Sequence, residues 1–174
     1  MKFGITISAI ATCLSVNSAL AVPTNLLNKT VRISWFQQTP GISVGTKQSA
    51  GSAGRSIAFT LYVSSAGRVF AKSASKTGRF TGERTIGPEA TVFRNEGSKL
   101  IGVWHHGGGT NGATSMTVSF DSGFQTCSLD VILGSENGKP LEWIGLNGVR
   151  YVATGHPTIS SQSCSVSTGN AFAE

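Results

Sequence analysis

Residues 99–120 read "KLIGVWHHGGGTNGATSMTVSF". Two readings compete for this stretch. "HGGG" (His106 to Gly109) matches the oxyanion loop of lipases and esterases, and "GISVG" (Gly41 to Gly45) matches the nucleophile elbow G-x-S-x-G with Ser43 as nucleophile. Together they suggest an α/β hydrolase. The elbow, however, needs a sharp strand-to-helix turn in a parallel sheet. "GISVG" instead follows Pro40 in a run of small residues with no helical pattern behind it. The oxyanion loop also comes after the elbow here, whereas that fold places it before. The other reading is a hairpin, with "KLIGVWHH" as one strand, "GGGTNG" as the loop and "ATSMTVSF" as the return. Neighbours on a strand point to opposite faces, so Val103 and His105 share one side and Trp104 and His106 the other. Only one histidine then looks into a core. The three glycines and Asn111-Gly112 supply the positive-φ positions a loop needs. The hairpin reading makes the chain all-β.

The flanking sequence agrees. "VRISWFQ" sets Val31, Ile33 and Trp35 against Arg32 and Ser34. "SIAFTLYVS" sets Ile57, Phe59, Leu61 and Val63 against Ser56, Thr60 and Tyr62, and "CSLDVIL" sets Cys127, Leu129, Val131 and Leu133 against Ser128 and Asp130. Period-2 alternation with one polar face is the mark of antiparallel sheets. Turn signals separate the runs at "SSAGR" (64–68), "NEGSK" (95–99), "DSG" (121–123), "ENGKP" (136–140) and "LNGV" (146–149). This spacing predicts an antiparallel barrel of calycin-like type or a β-sandwich, with about eight strands. Segments 40–55 and 73–89 are rich in small polar residues and read as long loops. A membrane barrel would carry aromatic girdles, which two tyrosines and three tryptophans do not supply.

The first 21 residues, "MKFGITISAIATCLSVNSALA", read as a secretory signal peptide: Lys2, an apolar stretch, then Ala19-Leu20-Ala21. A membrane span needs ~20 uninterrupted apolar residues, and Ser15, Asn17 and Ser18 interrupt this one. Residues 22–174 are then a single β-rich domain of the periplasm or medium. Cys13 leaves with the signal, and the remaining Cys127 and Cys164 are most simply one disulfide in an oxidising compartment.

The net charge is +6, unevenly spread. From Lys29 to Arg84 there are nine basic residues against Glu83 alone; from Thr85 onward there are four against seven acids. Such a split suggests a basic face toward an anionic partner. Arg68, Lys72, Lys76, Arg79 and Arg84 are its candidate contacts, with Phe70 and Phe80 interleaved. For an exported chain, envelope lipid or acidic polysaccharide is a better partner than nucleic acid.

Catalytic chemistry is less well supported. His105, His106 and His156, with Asp121 or Asp130 and any of many serines, offer no spacing that selects a triad. No H-x-H, C-x-x-C or H-E-x-x-H pattern points to a metal, so neither a metal nor another cofactor is expected. A small hydrolase or metal-dependent enzyme built on the histidines is the first alternative. A cavity for a small apolar ligand, lined by Trp35, Trp104 and Trp143, is the second, although Trp35 sits on an apolar strand face suited to the core.

"LNKTVRISW", "LYVSSAGRVF", "TVSFDSGFQTCSLDV" and "SCSVSTGNAF" resemble a group of small exported proteins of rhizobium-type alphaproteobacteria with no assigned function. The likeness spans most of residues 26–172. It implies export, a β-rich fold and one disulfide, and it carries over no active site. The expectation is therefore a secreted or periplasmic protein engaged in non-enzymatic binding at the cell envelope.

Overall fold

The computed structural model describes residues 22–49, 54–86, 92–106, 109–135 and 138–172. The signal-peptide reading of residues 1–21 lies outside them. After a 3₁₀ turn at Thr24–Leu26, the first half of the chain forms β1 (Lys29–Gln38), β2 (Gly41–Ser43), β3 (Arg55–Val63), β4 (Val69–Thr77), β5 (Phe80–Ile86) and β6 (Val92–Glu96). The second half forms β7 (Lys99–His105), β8 (Gly112–Phe120), β9 (Cys127–Ser135), β10 (Glu142–Ile144), β11 (Arg150–Ala153) and β12 (Thr158–Thr168). The protein is all-β. Among the described residues no helix is long and apolar enough to cross a membrane.

Three sheets form, ordered β12-β1-β3-β4-β5, β6-β7-β8-β9 and β10-β11-β2. All their pairings are antiparallel. Each sheet is open, so of the barrel and sandwich expected, a closed barrel is not formed. Among the described residues twelve strands form, where about eight are expected. Part of the difference lies in segment 73–89, expected to be a loop. Through Ile86 it is the end of β4 and all of β5, turning at Gly78-Arg79; residues 87–91 lie outside the description. Segment 40–55 also holds a strand, β2, and Ile42 bridges to Ser49.

The predicted alternation is met where it was read. On β8 every second residue from Gly112 to Phe120 is buried, and Val31, Ile33 and Trp35 of β1 are buried together. The inner side chains of the two larger sheets merge into one apolar cluster. It includes Ile33, Leu61, Val63, Leu100, Val118 and Phe120. Burying each such side chain stabilises the fold by about 1.5–3 kcal/mol. This cluster runs from the end of the molecule where β1 begins and β3 finishes as far as Trp35 and Phe59.

The disulfide Cys127–Cys164 is formed, with the Cα atoms 5.6 Å apart. It joins β9, the edge of one large sheet, to β12, the edge of the other. The chain just beyond β12 is pinned as far as Ala171. Thr30 Oγ1 donates to the Gly169 carbonyl (2.6 Å) and accepts from the Ala171 N–H (3.1 Å).

Candidate functional site

At the opposite end the two large sheets do not close on each other. Here β1 ends in Trp35 and Gln37, β3 begins with Arg55 and Ile57, and β4 turns Ser73 and Ser75 to the same side. The third sheet lies over this end. A cavity of about 290 Å³ results, with walls from all three sheets. Trp35, Trp104 and Trp143 all line it, as do Phe59, Arg55 and His106. Trp35 stacks on Phe59 at 5.7 Å between centroids, and Trp104 meets the same ring edge-on at 5.0 Å. Trp143 is steadied from outside by Tyr151, stacked at 5.5 Å. Such volumes sit at the small end of the ~300–1,000 Å³ usual for ligand pockets.

The hairpin 99–120 builds one wall. His106 and Trp104 face inward to the cavity, while Val103 and His105 are exposed on the other side. This is the division expected from the strand period. The His106 N–H donates to the Gly112 carbonyl at 2.8 Å and closes the hairpin. Gly109 carries the expected positive φ (+70°). Gly107 and Gly108 lie outside the described residues.

Gly112 does not have the positive φ expected of it, and a different constraint holds it. A Cβ at that position would stand 2.3 Å from the Glu142 carbonyl oxygen and 2.4 Å from His106 Nδ1. The glycine is needed for close backbone approach. The hairpin loop thereby docks on the third sheet. Asn111 Nδ2 donates to the Pro140 carbonyl and its Oδ1 accepts from the Glu142 N–H, each at 3.0 Å. Arg150 Nη2 donates to the Gly109 carbonyl (3.1 Å) and pairs with Glu142.

Two polar groups in the cavity are incompletely satisfied. Arg55 donates from Nη2 to Ser75 Oγ at 2.9 Å, yet its Nε is buried without a partner. Burial pushes the guanidinium pKa down. His106 Nε2 and Thr114 Oγ1 share a hydrogen bond of 2.8 Å. Its Nδ1 is buried near the Glu142 carbonyl, which raises the imidazole pKa, but the two do not reach hydrogen-bond geometry. Burial dominates, and with the charges of Arg55 and His105 it holds His106 below the usual histidine range. Arg84 closes over Trp104, its guanidinium carbon 5.6 Å from the ring centroid.

The other sequence candidates disperse. Ser43 is buried and spends its hydroxyl on Thr46 Oγ1 (2.6 Å) and the Gln48 N–H (3.1 Å), shaping the turn after β2. The described residues that follow, 44–49, form a turn and a bridge in place of the helix an elbow needs. Asp121 accepts from the backbone N–H groups of Gln125 (2.7 Å) and Thr126 (3.1 Å), which hold its carboxyl below the ordinary range. Asp130 and His156 are exposed and away from the cavity. Among the described residues no three His, Cys, Asp or Glu side chains converge on a common point.

Of the five basic candidates, Arg84 parts from the others. Lys72 and Lys76 stand on the outer face of β4, with Lys72 3.3 Å from Glu83. Arg68 follows the β3–β4 turn and Arg79 lies in the β4–β5 turn, over the Phe80 ring. Arg84 turns to the inner face, on Trp104. The residue that the sequence reading passed over is Arg55. It was one cation among nine, and only its register on β3, two and four residues before Ile57 and Phe59, puts it inside.

No family model, no curated protein and no solved structure matches the chain.

Proposed function

We propose that this is a non-enzymatic binding protein that holds a small, largely apolar ligand between the halves of a sandwich-like pair of sheets. The observation that carries the reading is the convergence of Trp35, Trp104 and Trp143, from three separate strands, on one cavity with Phe59. Tryptophans that only completed a core would leave no such space, because cores pack to crystal-like density. Among the described residues His106 Nε2 bonds the Thr114 hydroxyl and no carboxylate, which favours binding over a histidine-driven hydrolase. The disulfide fits the exported, periplasmic or extracellular setting implied by the signal-peptide reading and by the resemblance to small exported proteins.

The test uses 2-naphthamide, a neutral, flat probe that suits the cavity's size. It should quench the tryptophan emission saturably, one molecule per chain. Leu133→Trp, which fills the cavity from β9, should weaken binding at least tenfold, an effect of about 1.4 kcal/mol or more. Binding unchanged by that substitution would place the probe elsewhere and end this reading.

A second reading has its own observation. Arg32, Lys72 and Lys76 stand on one outer face of the five-stranded sheet, a surface suited to anionic envelope lipid or polysaccharide. Retention on a sulfated matrix should then fall steeply between low and physiological salt, as the Debye length shrinks toward ~8 Å. Charge reversal at Lys72 and Lys76 should abolish it. Retention indifferent to both removes the outer face from consideration.

A further inference from the structure

Resting on the cavity reading, we infer that the ligand is a flat apolar carboxylic acid, bound as its anion with the carboxylate on Arg55. The cavity is apolar over most of its wall, and the cations Arg55 and Arg84 outnumber the one acid that borders it, Glu83. Arg55 enters from β3, Arg84 from β5 over Trp104, and His106 from the end of β7. Glu83 is drawn to the outer face by Lys72. The ion pairs among the described residues, Lys72–Glu83 and Arg150–Glu142, leave Arg55 out. A cation taken from water without a counter-charge or a full set of hydrogen bonds is costly. A bound anion offsets that cost, which gives it an advantage that a neutral molecule of the same shape lacks.

The geometry also narrows the anion. Ser75 takes one hydrogen of Arg55 Nη2, which carries two, and Nε–H is unclaimed. The guanidinium therefore keeps two donors of its fork, Nε–H and the second Nη2 hydrogen, for the oxygens of a carboxylate. A phosphate ester accepts the same fork. It brings up to two charges into an apolar cavity, so the singly charged acid is the better match. Trp35 and Phe59, stacked nearly parallel at 6°, and Trp143 leave flat walls for the body of the ligand. A one- or two-ring acid matches a cavity of about 290 Å³.

The experiment compares three probes of one shape by calorimetry: 2-naphthoate, 2-naphthamide and 2-naphthyl phosphate. Naphthoate should bind the intact protein at least tenfold more tightly than either of the others. Arg55→Met should bring naphthoate down to the affinity of the amide and leave the amide within about threefold. Arg55→Lys should keep part of the preference, because the charge stays and the fork goes. The thermal midpoint of Arg55→Met should be no lower than that of the parent. A strut residue would instead destabilise the fold when shortened, and that result counts against a ligand role. Equal binding of acid and amide overturns the carboxylate assignment and leaves the cavity reading standing. Tighter binding of the phosphate reassigns the anion and overturns the acid. Binding of none of the three overturns both the inference and the cavity reading on which it rests.

Discussion

Replacing Cys127 and Cys164 together by alanine should lower the unfolding free energy by about 4 kcal/mol. The two cysteines are 37 residues apart, and closing a loop of that length removes about 4 kcal/mol of chain entropy from the unfolded state. The place of the bridge makes a smaller value unexpected. β9 and β12 are edge strands of different sheets and share no hydrogen-bonded ladder. The half-buried Ile159, Val166 and Leu129 pack against the cluster beside this seam. Small domains have only about 5–15 kcal/mol in total, so the double variant should unfold at markedly lower urea. The parent should fall to the same midpoint once reduced. A loss under about 1 kcal/mol would mean that strand packing alone holds the edges and that the bridge constrains little.

The parts of the fold that were legible in the sequence are those where a strand faces the core. Val31-Ile33-Trp35 and Met116-Val118-Phe120 alternate because one side of each strand is packed and the other wet. The hairpin at 99–120 was legible for the same reason, including the opposite facing of His105 and His106. Segment 73–86 was not. On β4 the inner positions Ser73 and Ser75, and on β5 Gly82, border the cavity instead of filling a core. A strand that borders open space needs no apolar alternation, so its sequence looks like a loop. The cavity therefore erased its own strand signal.

The site was legible in kind but not in composition. The three tryptophans and His106 stood out by residue type. Arg55 did not, since nothing in "AGRSIAF" separates an inward arginine from a surface one until the pairing of Ile57 with Trp35 and Ser75 is known. The role of Gly112 was hidden for a similar reason. Its constraint comes from Glu142, 30 residues away, and a local turn rule has no access to that. The parting of Arg84 from Arg68, Lys72, Lys76 and Arg79 followed from the same cause: strand period sends Arg84 inward and Lys72 outward although both belong to one basic run.

Phe59→Ala should have a comparably large effect on stability and a second effect on binding. Phe59 is only 6% exposed. It lies between the Trp35 ring, stacked, and the Trp104 ring, edge-on, and so couples the five-stranded sheet to the hairpin of the other. Truncating a buried phenylalanine costs about 3–5 kcal/mol, because the space left behind is refilled only in part. Here refilling is further hindered, since the side chain borders a cavity on one side and rigid indoles on two others. Phe70→Ala is the internal control. Phe70 stacks on Tyr62 but is 36% exposed on the outer face, and its loss should stay within about 1 kcal/mol. Urea unfolding of the two variants checks the difference. The binding consequence separates wall from core. If Phe59 only fills the core, 2-naphthamide should bind the folded alanine variant as well as it binds the parent. If it is the wall on which the ligand lies, the affinity should fall at least tenfold even under conditions where the variant is fully folded, because the Trp35 indole then loses the ring stacked parallel to it.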